Sequence, residues 1–144
     1  MRQKYETDAD LMNEKDVANK IASARGYMMQ KLAPMSRMDY AAFSTEGLKA
    51  FIEIKRRKVL RSKYDTVMLG MEKVLWARQV SKHFGVKSYF FVQWNDVLGY
   101  VCLDNDCELD MGGRTDRGDP LDVELLAYFK ISDFKELTDD KAQK

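Results

Sequence analysis

One histidine, two cysteines and two prolines among 144 residues exclude several familiar chemistries before any motif is sought. His83 alone cannot build a His-rich metal centre and has no evident partner for Ser–His or Cys–His catalysis, so zinc chemistry and nucleophilic triads are disfavoured. Cys102 and Cys107 are too few for a disulfide framework and lack the further ligands a zinc site needs. No stretch approaches the roughly 18 apolar residues of a membrane helix. Residues 1–20 carry acids and no apolar core of a signal peptide, which predicts a cytoplasmic protein without a membrane partner. Only Pro34 and Pro120 punctuate the chain, and no repeat or low-complexity linker divides it, so residues 1–144 read as one domain. If this is an enzyme, carboxylates, lysines and a hard metal must do the work.

What is present is a core and an uneven distribution of charge. Apolar residues make up 45% and charged residues 33%, with a net charge of +1 that says nothing about nucleic acid. Lys55, Arg56, Arg57, Lys58, Arg61 and Lys63 crowd into one short run, whereas acids collect at both ends and between Asp104 and Asp119. Such a run is either a solvated face or a track for phosphates.

Periodicity predicts a helix over 8–24, where Leu11, Glu14, Ala18, Ile21 and Ala22 form one stripe and Gly26 is the stop. A short strand is expected at 27–33. Strands at 37–43 and 49–57 would be joined by the loop 44–48. Residues 66–84 read as a single helix ending at Gly85, residues 87–94 and 97–103 as strands around Asn95-Asp96. Residues 104–122 read as an acidic loop, 123–131 as a last strand or short helix, and 135–144 as a polar tail. The class is mixed α/β.

The segment Ala50-Phe51-Ile52-Glu53-Ile54-Lys55-Arg56 carries the chemistry. In a strand, Ile52 and Ile54 share one face, which suits a core, and Glu53 and Lys55 share the other. A hairpin with an odd loop places Asp39 opposite Glu53, with side chains about 5 Å apart. Two carboxylates that close repel unless a cation joins them, and Mg²⁺ commonly takes one or two carboxylates and keeps waters. Glu14 interrupts the apolar stripe of the first helix, so it meets either a basic partner or the same metal site. Chance produces other acid-x-Lys triplets, at Asp133-Phe134-Lys135 and Asp139-Asp140-Lys141. Neither has an apolar strand with an acidic hairpin partner and a preceding helix bearing Glu.

Glu14, Asp39 and Glu53-Ile54-Lys55, followed by a helix and a strand, resemble the PD-(D/E)XK nuclease superfamily, and their spacings are similar to those of Holliday junction resolvase-like and phage nucleases. The resemblance spans about residues 8–103, leaving 104–144 as a C-terminal extension. It departs in having Met38 where the motif's name places proline. It implies a restriction-endonuclease-like core, a mixed sheet flanked by helices in the order helix, three strands, helix, strands. It also implies a Mg²⁺-dependent nuclease, Mn²⁺ substituting, that leaves 5′-phosphate ends. Asp39, Glu53 and the backbone carbonyl of Ile54 would be metal ligands, Lys55 the catalytic lysine and Glu14 the helix acid.

Placed directly after the motif strand, Arg56, Arg57 and Lys58 are expected to contact nucleic acid, most naturally DNA. Lys73, among Leu69, Trp76, Ala77 and Val80, either reaches a scissile phosphate or snorkels to solvent. Asp104, Asp106, Glu108 and Asp110 alternate like a calcium loop but lack its glycine and its closing glutamate. Arg117-Gly118-Asp119 carries no weight without an export signal. Two other functions compete: a silent nucleic-acid-binding module of the same fold, and an interaction subunit whose aromatic strand 89–94 forms a homodimer edge. The latter coexists with catalysis.

Overall fold

The computed structural model describes residues 8–113 and 123–138. It opens with helix α1 (Asp8–Arg25) and strands β1 (Met28–Lys31), β2 (Tyr40–Ser44) and β3 (Gly47–Arg56). After a 3₁₀ turn at Arg61–Lys63 come β4 (Thr66–Gly70), α2 (Met71–Phe84), β5 (Lys87–Gln93) and β6 (Leu98–Cys102). The described chain ends with β7 (Glu108–Gly113), β8 (Val123–Lys130), a second 3₁₀ turn at Ile131–Asp133 and β9 (Lys135–Glu136). One sheet runs β1-β2-β3-β5-β6-β9 and a smaller one β4-β8-β7. Every pairing is antiparallel except β3 with β5, where α2 lies in the crossover that parallel strands require.

The larger sheet is covered on both faces, and alternation along its strands decides what each face holds. Ile52 and Phe91 turn toward α1, packing with Val17, Ala18 and Ile21. Phe90 and Val92 turn the other way, into a larger cluster with Val74 and Ala77 of α2 and with Phe129, Ile131 and Phe134 from the C-terminal part of the chain. Phe134 meets both Phe90 (5.9 Å between centroids) and Trp94 (5.4 Å) edge-on, so residues beyond 104 complete this core. Both helices stop at a glycine in the left-handed region, Gly26 (φ 70°) and Gly85 (φ 71°), and the Gly85 N–H closes on the Ser81 carbonyl.

Four expectations need correction. Residues 66–84 are not one helix: Thr66–Gly70 is β4, whose burial alternates because Val67 and Leu69 pack inward while the strand pairs with β8. The stretch 104–122 is not all loop, since Glu108–Gly113 forms β7 on the other side of β8; residues 114–122 lie outside the described residues. The β2–β3 connection is not a five-residue loop. Ser44 pairs with Gly47 across a two-residue turn, and a bulge between Ala42 and Phe43 restores the expected register. Finally, the aromatic strand β5 offers no edge to a second copy, because β3 and β6 flank it.

Candidate active site

Asp39 stands just before β2. Tyr40 pairs with Ile52, and the Asp39 N–H donates to the Ile52 carbonyl (2.9 Å), which continues the register and sets Asp39 beside Glu53. Three anchors hold it there. The Leu32 N–H donates to the Asp39 carbonyl (2.9 Å), Arg37 pairs with Glu72 of α2, and Met38 is buried in the larger core cluster. Met38, where the motif's name has proline, thus fixes Asp39 by burial. The carboxylate itself accepts the Ile54 N–H through Oδ2 (2.8 Å).

Glu53 and Lys55 face the α2 side, opposite to Ile52 and Ile54, as strand alternation requires. Lys73 of α2 donates to Glu53 Oε2, while Oε1 is buried with no hydrogen-bond donor. Burial, opposed by Lys73 and reinforced by the Asp39 carboxylate, pushes the Glu53 carboxyl up to about 8. The Lys55 ammonium donates to the Met68 carbonyl of β4 (3.0 Å), and burial, aided by Arg57, brings it down to about 8. Glu14 is buried on α1 and pairs with Lys31 of β1, whose ammonium also lies 3.8 Å from Asp39 Oδ1 and 5.3 Å from the Tyr40 ring centroid.

A cleft of about 390 Å³ gathers Glu14, Asp39, Glu53, Ile54, Lys55, Arg56 and Lys73. It brings together seven of the nine residues nominated from sequence. Arg57 and Lys58 lie outside it, and Lys58 is exposed. Lys73 does not stand free, because its ammonium pairs with Glu53. The basic run is not uniform: Arg56 is tied to the Gln93 carbonyl (2.8 Å) and Asn95 (2.8 Å). Arg61 turns inward to the carbonyls of Ile131 (3.2 Å) and Phe134 (2.7 Å) and lies 5.8 Å from the Trp94 ring centroid. Lys31 was missed, since only the β1–β2 register, which pairs it with Tyr40, brings it to Asp39.

Among the described residues no three His, Cys, Asp or Glu side chains converge as a metal cage. The donors are fewer and harder: two carboxylates and the carbonyl-bearing backbone at Ile54, with one Glu53 oxygen lacking any partner. That set fits a small oxygen-seeking dication that keeps part of its water.

The fold and this site define a PD-(D/E)XK endonuclease-type protein. The chain belongs to the family described as phage putative PDDEXK endonuclease, whose sequence model matches residues 1–137. Among solved structures it is similar to Hjc, a Holliday junction resolvase from the archaeal hyperthermophile Archaeoglobus fulgidus, at 19% identity and a TM-score of 0.60. That match covers 93% of this chain and 95% of the resolvase, and it establishes a shared restriction-endonuclease-like fold. No curated protein sequence matches the chain. Among the described residues, no helix is long and apolar enough to cross a membrane.

Proposed function

We propose that residues 1–144 act as one intracellular nuclease domain that hydrolyses phosphodiester bonds in DNA with Mg²⁺, or Mn²⁺ in its place, leaving 5′-phosphate and 3′-hydroxyl ends. The observation that carries this reading is the buried, partnerless Oε1 of Glu53 beside Asp39, in the cleft that also holds Lys55. Asp39, Glu53 and the Ile54 carbonyl would hold the metal, which when bound supplies charge for the phosphoryl oxygens and a water of lowered pKa. Asp39 is pre-positioned by the Ile54 N–H and by buried Met38. Lys55, held by the Met68 carbonyl with a pKa of about 8, can orient the attacking water or meet the charge that develops on the phosphate. Glu14 closes the cleft from α1. Arg56, Arg57 and Lys58 would carry the flanking backbone away from the reacting phosphate. Hjc is named a Holliday junction resolvase; the shared fold supports an endonuclease acting on branched DNA, which two copies of the chain would grip symmetrically.

The test is incubation with supercoiled plasmid, linear duplex, single strand and four-way junction, each with Mg²⁺, Mn²⁺ or EDTA. Cleavage that needs metal, prefers the junction and leaves ligatable 5′-phosphates is expected. No cleavage of any substrate, with binding retained, would favour the silent binding module instead.

A further inference from the structure

The acid cluster is held by cations that the sequence motif does not contain. Lys31 reaches it from β1 and pairs with Glu14 while lying 3.8 Å from Asp39. Lys73 reaches it from α2 and pairs with Glu53. The lysine side chains are 34% and 35% exposed, against 10% for Glu14 and 8% for Glu53. The acids are therefore fixed in the protein, whereas each ammonium sits on a flexible stem with a route to solvent. A dication shared by Asp39 and Glu53 would meet one ammonium beside Asp39 Oδ1 and another on Glu53 Oε2. At such separations like charges repel even where solvent partly screens them.

We propose that Lys31 and Lys73 are the resident counter-cations of the acid cluster. They hold Glu14, Asp39 and Glu53 together in the metal-free protein. They leave Asp39 and Glu53 when a divalent metal is loaded, and their ammonium groups then take the phosphates of the substrate. The inference rests on the metal-dependent nuclease reading and adds two groups to it. It explains how carboxylates from α1, the start of β2 and β3, those of Glu14 and Glu53 buried, fold together before any metal arrives. It also makes each lysine a competitor of the metal and, afterwards, a ligand of the DNA.

The two roles predict opposite effects of one substitution. Mn²⁺ is titrated calorimetrically into the full-length wild type, Lys31→Met, Lys73→Met, Lys73→Arg and Asp39→Asn, with circular dichroism to confirm folding, and cleavage is measured at saturating Mn²⁺. Each Met variant should bind Mn²⁺ roughly three- to tenfold more tightly, since a repelling charge is gone, yet cleave at least about tenfold more slowly, since a phosphate contact is gone. Lys73→Arg should keep wild-type Mn²⁺ affinity. If Lys73→Met does not fold, Lys73→Gln replaces it, with the same expected tightening. Unchanged or weaker Mn²⁺ binding in both neutral variants, or equal tightening in Lys73→Arg, overturns the proposal while leaving the nuclease reading intact. Wild-type protein that binds no Mn²⁺, or Mn²⁺ binding that survives Asp39→Asn, removes both.

Discussion

Replacing Glu53 by glutamine should change how the metal-free protein responds to pH, and the structure sets the size and sign of the change. Burial raises the Glu53 carboxyl from 4.5 to about 8, with Lys73 opposing and Asp39 adding to the rise. Between those values the folded chain binds a proton that the unfolded chain has released, so stability falls as pH rises. The stability contributed by this raised group is complete below pH 4.5 and is lost as pH climbs through about 8. At about 1.4 kcal/mol per pH unit, the interval from 4.5 to about 8 corresponds to a loss on the order of 5 kcal/mol, or roughly 15 °C in melting temperature for a domain of this size. Lys55 works in the opposite sense. Its ammonium is lowered from 10.5 to about 8, so its contribution is unfavourable below pH 8 and is relieved toward 10.5. Together the two groups place a minimum of metal-free stability near pH 8.

The assay is thermal melting in EDTA from pH 5 to 10, comparing wild type with Glu53→Gln. The difference between the two curves reports Glu53 together with the groups coupled to it, Asp39, Lys55 and Lys73, and removes the rest. The variant should have a much flatter profile between pH 5 and 8 and should be the more stable protein at pH 8. Adding Mn²⁺ should reverse the slope for the wild type alone, because the metal needs the carboxylate deprotonated. A wild-type melting temperature in EDTA that holds steady or rises from pH 5 to 8, or an equal slope in the variant, would refute the burial argument.

Further expectations follow from the same contacts. Asp39→Asn keeps the oxygen that accepts the Ile54 N–H and removes a negative charge, so cleavage should fall by about 10³-fold or more, while DNA affinity in gel-shift assays holds or improves. Undiminished cleavage would refute its role as a ligand. Neutralising Arg56, Arg57 and Lys58 together should weaken DNA binding and reduce the slope of log K against log salt by about 2 to 3; a parallel salt dependence would show that the run is only a solvated surface. Arg61→Ala should leave that slope unchanged and instead cost about 2–4 kcal/mol in urea melts, because two carbonyls of the C-terminal segment lose a charged donor. Stability within about 0.5 kcal/mol of wild type would contradict its inward role.

What could be read from sequence, and what could not, divides along local and non-local information. Glu53 and Lys55 on one strand face with Ile52 and Ile54 on the other is a local fact of the pleat. Asp39 opposite Glu53 follows although the connection differs, because the bulge between Ala42 and Phe43 restores the pairing that a loop centred on Glu46 would give. A two-residue turn plus a one-residue bulge shifts the strands as an odd loop does. Thr66–Gly70 resisted because five residues of mixed periodicity run straight into α2, and only pairing with β8 far downstream makes them a strand. Acidic Glu108–Gly113 becomes β7 for the same reason, by pairing with the other side of β8. The same logic governs the charges. The acids at the centre of the site announce themselves because two lie on a hairpin and one spoils a helical stripe. Their cations carry no such mark. Lys31 needs the β1–β2 register, Lys73 needs α2 laid across the sheet, and the Lys55 environment needs β4 to supply the Met68 carbonyl. In this fold the motif specifies where negative charge is concentrated, and the tertiary arrangement decides which positive charges answer it.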